Sequence, residues 1–217
     1  MILKNVRNYT TFLTRRMIMN SLTKQVLAYA GSQPEGMPLT AKGLLHLSNR
    51  AALDQTLSRL ARSGEVMRLG RGVYVRPIQT KFGTRSPFAE KVIEQFATAR
   101  GETIVSSGAA AANALGLTTQ VPVRTIYLTS GRSRRLALGN LAVELRHAKP
   151  WQLGKGNARA GQAVRALEWL GPQQAARALT TLKSRLEPAE LKELQAMRPL
   201  LPEWLAQKIS ATVATHG

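Results

Sequence analysis

The stretch NRAALDQTLSRLARSGEVMRLGRGVYVRP, Asn49–Pro77, decides the fold of the N-terminal part of this chain. Ala52, Leu53, Thr56, Leu57 and Leu60 recur at three- and four-residue spacing, the period of one buried helix face. Ser48 or Asn49 supplies an N-cap and Ser63-Gly64 a stop, so a helix running to about Arg62 is expected. Two short alternating runs follow, Glu65–Leu69 and Val73–Pro77, separated by Gly70-Arg71-Gly72. Alternation around a glycine-bearing turn predicts a β-hairpin.

Upstream, Leu22, Val26, Leu27 and Ala30 predict a first helix stopped at Gly31. Gln33–Pro38 reads as a loop, and Thr40 as the N-cap of a short helix carrying Leu44, Leu45 and Leu47. Three helices closed by a hairpin is the order of a winged helix-turn-helix. Downstream, the polar stretch with Lys81, Gly83, Arg85 and Pro87 reads as a linker. A helix from about Phe88 to Arg100 follows, with Phe88, Val92, Ile93 and Phe96 as its apolar face. Strands are expected at Ile104-Val105, Thr125–Thr129, Arg134–Leu138 and Leu141–Arg146, with the last two joined at Gly139-Asn140. A small-residue helix, Ala109–Leu115, falls among them. The remainder is helical, with Pro172, Pro188 and Pro202 at first turns and Leu205, Ile209 and Val213 on one face of the last helix. Trp151, Trp169 and Trp204 are expected as packing residues.

The expected class is therefore α+β. Residues 1–20 form a basic arm or extended start, 21–78 a winged helix-turn-helix and 79–87 a linker. Residues 88–217 form a basic α/β C-terminal domain with a small sheet and a helical C-terminal end.

Charge narrows the partners. Lys and Arg number 31 against 12 Asp and Glu, a formal net charge of +19. A single-sign field of this size repels itself, and a polyanion explains it best: nucleic acid first, then an acidic protein or a membrane surface. The excess is spread along both halves of the chain rather than gathered in a tail. No apolar run approaches the roughly 20 residues of a membrane helix, so no membrane partner is expected. The absence of cysteine excludes disulfides and thiolate metal sites and suits a cytoplasmic location. The first twenty residues hold Lys4, Arg7, Arg15 and Arg16 and no acid, with Met17 and Met19 as alternative starts.

The candidate DNA-binding residues are Asn49, Arg50, Gln55, Arg59 and Arg62 on the helix and Arg68, Arg71 and Arg76 on the hairpin. In a major groove Arg pairs with guanine and Asn or Gln with adenine, while turn glycines permit close approach to phosphate. The same residue types also make an ordinary solvated face; their position on the two elements that meet DNA in a winged helix favours contact. A second basic concentration comprises Arg124, Arg132, Arg134, Arg135, Arg146, Lys149, Lys155 and Arg159, extended by Arg165, with Glu144 the lone acid in the stretch. It is read as a further DNA footprint or as a dock for an acidic protein. RNA binding rests on charge alone, without the aromatic sheet signatures of RNA modules.

Catalysis finds little support. His46, His147 and His216 lie far apart in sequence, and Asp54 is the single aspartate. Ser106-Ser107-Gly108 is no nucleophile elbow and Gly154-Lys155-Gly156 is no Walker loop. No enzymatic activity, metal or cofactor is expected.

Three segments carry a family resemblance: LSRLARSG at Leu57–Gly64, VMRLGRGVYVRP at Val66–Pro77, and SSGAAAANALGLTTQVPVRTIYLTSG at Ser106–Gly131. In their order of wing, small-residue helix and strand, over roughly residues 20–150, they resemble the AbiEi-like antitoxins of bacterial type IV toxin–antitoxin systems. The resemblance implies a repressor of its own operon, bound to double-stranded DNA at repeated or inverted promoter sites. It also implies a nucleotidyltransferase-type toxin whose effect the C-terminal domain helps to counter. On this footing DNA reading falls to Asn49–Arg62 and Arg68–Arg76, and the basic strip to further DNA contact or antitoxin function.

Overall fold

In a computed structural model, residues 21–214 are described; the expected arm at 1–20, the Val213 side chain and His216 lie outside the described residues. The fold is mixed, with helices and three small sheets. The chain divides into two compact units, one reaching Arg100 and taking in Ala137–Leu141, the other formed by the rest. Among the described residues no helix is long and apolar enough to cross a membrane.

The N-terminal unit begins with α1 (21–32), which runs through Gly31 rather than ending there. The short helix expected after Thr40 is a single 3-10 turn, Lys42–Leu44. Gly43 disfavours helix propagation, and the Thr40 hydroxyl accepts its N–H at 3.1 Å, which fixes the turn locally. Next come α2 (Arg50–Arg62) and the antiparallel strands β1 (Met67–Gly70) and β2 (Val73–Val75). Leu39 adds a bridge to this pair: its N–H donates to Tyr74 O at 2.7 Å, and Tyr74 N–H donates to Leu39 O at 2.9 Å. Leu22, Val26, Leu44, Leu53, Leu57 and Tyr74 belong to one core spanning α1, the turn, α2 and the hairpin.

The expected linker at 79–87 is not one. Residues 78–85 form a second hairpin, β3 (Ile78–Thr80) with β4 (Gly83–Arg85). The Thr80 hydroxyl donates to Gly83 O at 2.8 Å and accepts from Phe82 N–H at 3.2 Å, and Gly83 takes φ 112°. Its strands are short and polar, so no hydrophobic alternation announces them.

The following helix, α3 (Ala89–Arg100), belongs to the N-terminal unit, which places the division after Arg100. Glu35 explains the attachment. Its Oε1 accepts from Phe88 N–H at 3.0 Å and from Arg85 Nη1 at 3.1 Å. The Phe88 amide, with help from Arg85 and against partial desolvation, holds the Glu35 carboxyl below its ordinary pKa. Gly36 approaches α3 so closely, at φ 87°, that a Cβ would stand 2.7 Å from the Lys91 carbonyl carbon and the Val92 nitrogen. Val92, Ile93 and Phe96 are buried as expected, but Phe88 is 59% exposed, with the Arg85 guanidinium 4.2 Å from its ring.

The C-terminal unit holds a four-stranded sheet in the order β5-β6-β8-β7. Its strands are β5 (Ile104–Ser106), β6 (Thr125–Thr129), β7 (Arg134–Leu138) and β8 (Leu141–His147). β5 pairs antiparallel with β6, and β6 pairs parallel with β8 from Thr125↔Val143 to Thr129↔His147. The helices are α4 (Gly108–Ala114), α5 (Pro150–Leu153), α6 (Arg159–Arg185), α7 (Pro188–Ala196) and α8 (Glu203–Ala214). The small residues of α4 serve close packing: a Cβ on Gly108 would stand 2.5 Å from Arg165 O on α6. Ala111 and Ala112 of α4 share one core with Ala163, Val164 and Leu167 of α6. Trp151 and Trp204 pack against that core, whereas Trp169 is 46% exposed.

α6 is interrupted at Gly171, which takes φ 78° and ψ 173°, with Pro172 opening the second segment. The break is a reversal. Arg159 Nη2 donates to Arg185 O at 2.9 Å, although 26 residues of straight helix would separate the two by about 39 Å. The two segments therefore fold back as a helical hairpin.

Two changes test the α3 attachment. Gly36→Ala combines a left-handed backbone with a backbone clash and should lower the stability of the N-terminal unit by about 2–3 kcal/mol in chemical denaturation. Glu35→Gln should cost roughly 0.5–1 kcal/mol at pH 7. Because the folded pKa of Glu35 is depressed, the wild-type advantage is complete above the unfolded value of 4.5 and fades as pH falls through the lower folded value.

Candidate nucleic-acid interface

α2 is set by its cap and its buried face. Asn49 takes an extended backbone and its side chain accepts Ala52 N–H at 3.0 Å. Leu53, Thr56, Leu57 and Leu60 are buried. Opposite them, at steps of four, three and four, lie Ala51, Gln55, Ser58 and Arg62, a stripe without an acid. Gln55 and Arg62 are exposed and, among the described residues, have no side-chain partner. Arg59 is exposed on one flank of this stripe. On the other flank Arg50 pairs with Asp54 at 3.6 Å, an exposed contact of small energy.

The hairpin divides its three arginines. Arg68 faces Tyr74 across the strands; its Nη2 donates to the phenol oxygen at 2.9 Å, with the guanidinium 5.3 Å from the ring centre. Arg76 donates from Nη1 to Gly31 O at 3.3 Å, near the C-terminal end of α1. Arg71 is exposed at the turn, and the following Gly72 takes φ 68°. So Asn49, Arg68 and Arg76 have structural contacts within the unit, while Gln55, Arg62 and Arg71 present free polar groups to solvent.

The second basic strip is largely neutralised within its own unit. Arg134 pairs with Glu102, whose carboxylate also accepts from the buried Thr129 hydroxyl at 3.0 Å. Arg135 and Arg146 share Glu144 at 2.9 and 2.7 Å, and the Arg146 hydrogen bond holds that carboxyl below its ordinary pKa. Lys155 pairs with Glu193 and Arg159 with Glu190, each at 3.4 Å. Among the described residues Arg124, Arg132 and Lys149 are exposed with no ion pair. Glu144 is thus not the strip's lone acid in space: Glu102, Glu190 and Glu193 reach it from outside the stretch. Arg165 is not a surface residue at all. It is completely buried, and desolvation lowers its pKa to about 10. Its neighbours Ala160, Ala163, Val164 and Leu167, all buried, are the sequence signal that it lies on an inward-facing segment.

The described histidines stand apart. The ring of His46 lies 5.3 Å from that of Tyr29, and His147 Nδ1 is 2.9 Å from Gly131 O. Among the described residues no three His, Asp or Glu side chains gather as metal ligands.

Residues 25–187 match a family of unknown function, DUF6088. The chain belongs to that family. The match runs from α1 to the start of α7, so the family spans both units. No curated protein sequence matches the chain. Among solved structures it is similar to the RV2827C protein from Mycobacterium tuberculosis, at 15% identity and a TM-score of 0.49, covering 91% of this chain and 78% of that one.

Asn49→Ala tests the cap apart from any ligand. It should destabilise α2 by about 1 kcal/mol in denaturant unfolding of the free protein, whereas Asn49→Gly should cost only a few tenths.

Proposed function

We propose that this chain is a transcriptional repressor that reads double-stranded DNA through a winged helix-turn-helix formed by α1, the 3-10 turn, α2 and the β1–β2 wing, with Leu39 pairing onto the wing. The observation that carries this reading is the capped, acid-free stripe Ala51-Gln55-Ser58-Arg62 on α2, in the same unit as a hairpin turn that exposes Arg71 between Gly70 and Gly72. Gln55 suits adenine and Arg62 guanine in the major groove, Ala51 suits the thymine methyl, and Arg71 suits phosphate. The net charge of +19 supplies long-range attraction and makes binding steeply salt-dependent. Occupancy of its own promoter would exclude polymerase.

The resemblance of Leu57–Gly64, Val66–Pro77 and Ser106–Gly131 to AbiEi-like antitoxins supports a further role for this cytoplasmic, nucleoid-bound repressor. It would be the antitoxin of a pair whose toxin is a nucleotidyltransferase-type enzyme. Arg124, Arg132 and Lys149 are then the cations of the basic strip available for a partner or for flanking DNA.

The test is an electrophoretic mobility shift with DNA upstream of the chain's own gene against scrambled DNA of equal length. Specific retention that survives competitor supports the reading; equal retention of both DNAs, or none, sinks it. Arg62→Ala should weaken specific binding by about 1–3 kcal/mol and relax base preference. Arg71→Ala should weaken both DNAs alike and reduce the salt slope by about one.

A further inference from the structure

Every residue of the β3–β4 hairpin from Gln79 to Thr84 is exposed, so the hairpin is a two-stranded ribbon with neither face buried. Phe82, at its turn, is 89% exposed and belongs to neither hydrophobic core. A ring in that position adds nothing to folding, yet it is the largest apolar group the ribbon has to bury against something else.

The polar side chains of the ribbon are engaged within it. Thr84 Oγ1 donates to Gln79 Oε1 at 2.8 Å across the strands, and the Thr80 hydroxyl bridges Gly83 O and Phe82 N–H. At the root, Arg85 Nη1 donates to Glu35 Oε1 at 3.1 Å and to Ser86 O at 2.8 Å. The stem is thus braced at both ends. Its tip offers the Phe82 ring and the Lys81 ammonium, 4.9 Å from the ring centre.

From Val66 to Ala89 the sequence holds no acid and five basic residues, and this stretch carries the β1–β2 hairpin and the ribbon in succession. β3 starts three residues after β2 ends, past the buried Pro77. An anionic occupant suits Lys81, and one with flat apolar faces suits Phe82. Stacked bases between phosphates are both. A lipid bilayer holds a protein through apolar area, of which one ring flanked by threonines and glutamine offers little.

We propose that Phe82 is a wedge that enters duplex DNA from the minor groove and partly unstacks one base step, with Lys81 turning to the adjacent phosphates. The inference rests on the DNA reading proposed above and adds to it a contact that senses how easily a step kinks, not its base edges. The three residues of each strand reach about 10 Å, and the minor groove is about 7.5 Å deep, so the tip attains the base pairs. Pyrimidine–purine steps kink most readily and are the expected seats; each of them contains an adenine.

The experiment uses the full chain and the duplex upstream of its own gene, with each adenine of both strands replaced in turn by fluorescent 2-aminopurine. Binding is read by mobility shift and unstacking by fluorescence. The wild type should brighten the probe at one step of the retained duplex. Phe82→Ala should melt within about 2 °C of the wild type, bind about tenfold more weakly and lose the brightening. Phe82→Leu, which keeps an apolar wedge, should restore most of it. Lys81→Ala should keep the brightening and reduce the salt slope by about one. Retention by the wild type with no probe brightened overturns the wedge and leaves the repressor reading standing. So does Phe82→Ala with unchanged affinity and brightening, including the case in which that variant instead loses binding to phosphatidylserine vesicles. Retention of no DNA at all overturns both.

Discussion

The reciprocal backbone hydrogen bonds between Leu39 and Tyr74 hold the N-terminal unit together. Without them the segment before α2 would be a loop linking two helices, free to leave the hairpin. With them, the chain is pinned to β2 ten residues before the α2 cap at Asn49, and little slack remains in between. Tyr74 then does three things from one position. Its backbone pairs with Leu39, its ring lies in the core shared with Leu22, Val26 and Leu57, and its hydroxyl anchors Arg68. The orientation of the exposed stripe of α2 relative to the β1–β2 hairpin follows from that shared core rather than from any direct contact between their polar residues.

The positive charge of the molecule is not uniform in what it can do. Some of it braces the fold: Arg76 donates to Gly31, Arg159 to Arg185, and Arg185 to the Leu115 carbonyl. Some is neutralised by carboxylates that arrive from distant sequence, as at Arg134 and Lys155. What remains exposed and unpaired among the described residues is a smaller set that includes Arg62 and Arg71. Counting basic residues along a chain overstates a binding face because folding brings its counter-ions with it.

α2 was legible because two independent signals coincide there, the cap at Asn49 and the helical period of Leu53, Leu57 and Leu60. The β1–β2 hairpin and strands β6, β7 and β8 were legible from alternation and from turn glycines. The β3–β4 hairpin was not, since Gln79, Thr80 and Thr84 carry no hydrophobic alternation and the turn is held by a threonine hydroxyl. The 3-10 turn at Lys42–Leu44 escaped because Leu44, Leu45 and Leu47 mimic a helical period that Gly43 then fails to propagate. Arg59, Arg62 and Arg71 kept the exposure their positions suggested. Asn49 makes the capping bond that its position predicts, whereas Arg76 acquired a partner 45 residues away that no local pattern encodes, and Arg165 became the least surface-like arginine of the strip. Local order is written in spacing; long-range pairing is not.

The reversal at Gly171-Pro172 bears on the order in which the molecule comes into being. A helical hairpin closes through neighbours near in sequence, so little loop entropy is lost before its faces meet. The sheet is the opposite case, because the parallel pairing of β6 with β8 requires the chain to pass out along β7 and return. Residues 159–185 are therefore the natural nucleus of the C-terminal unit, able to assemble on the microsecond scale of isolated helices while the strands are still searching. A ribosome releases β5 to β8 before this segment emerges.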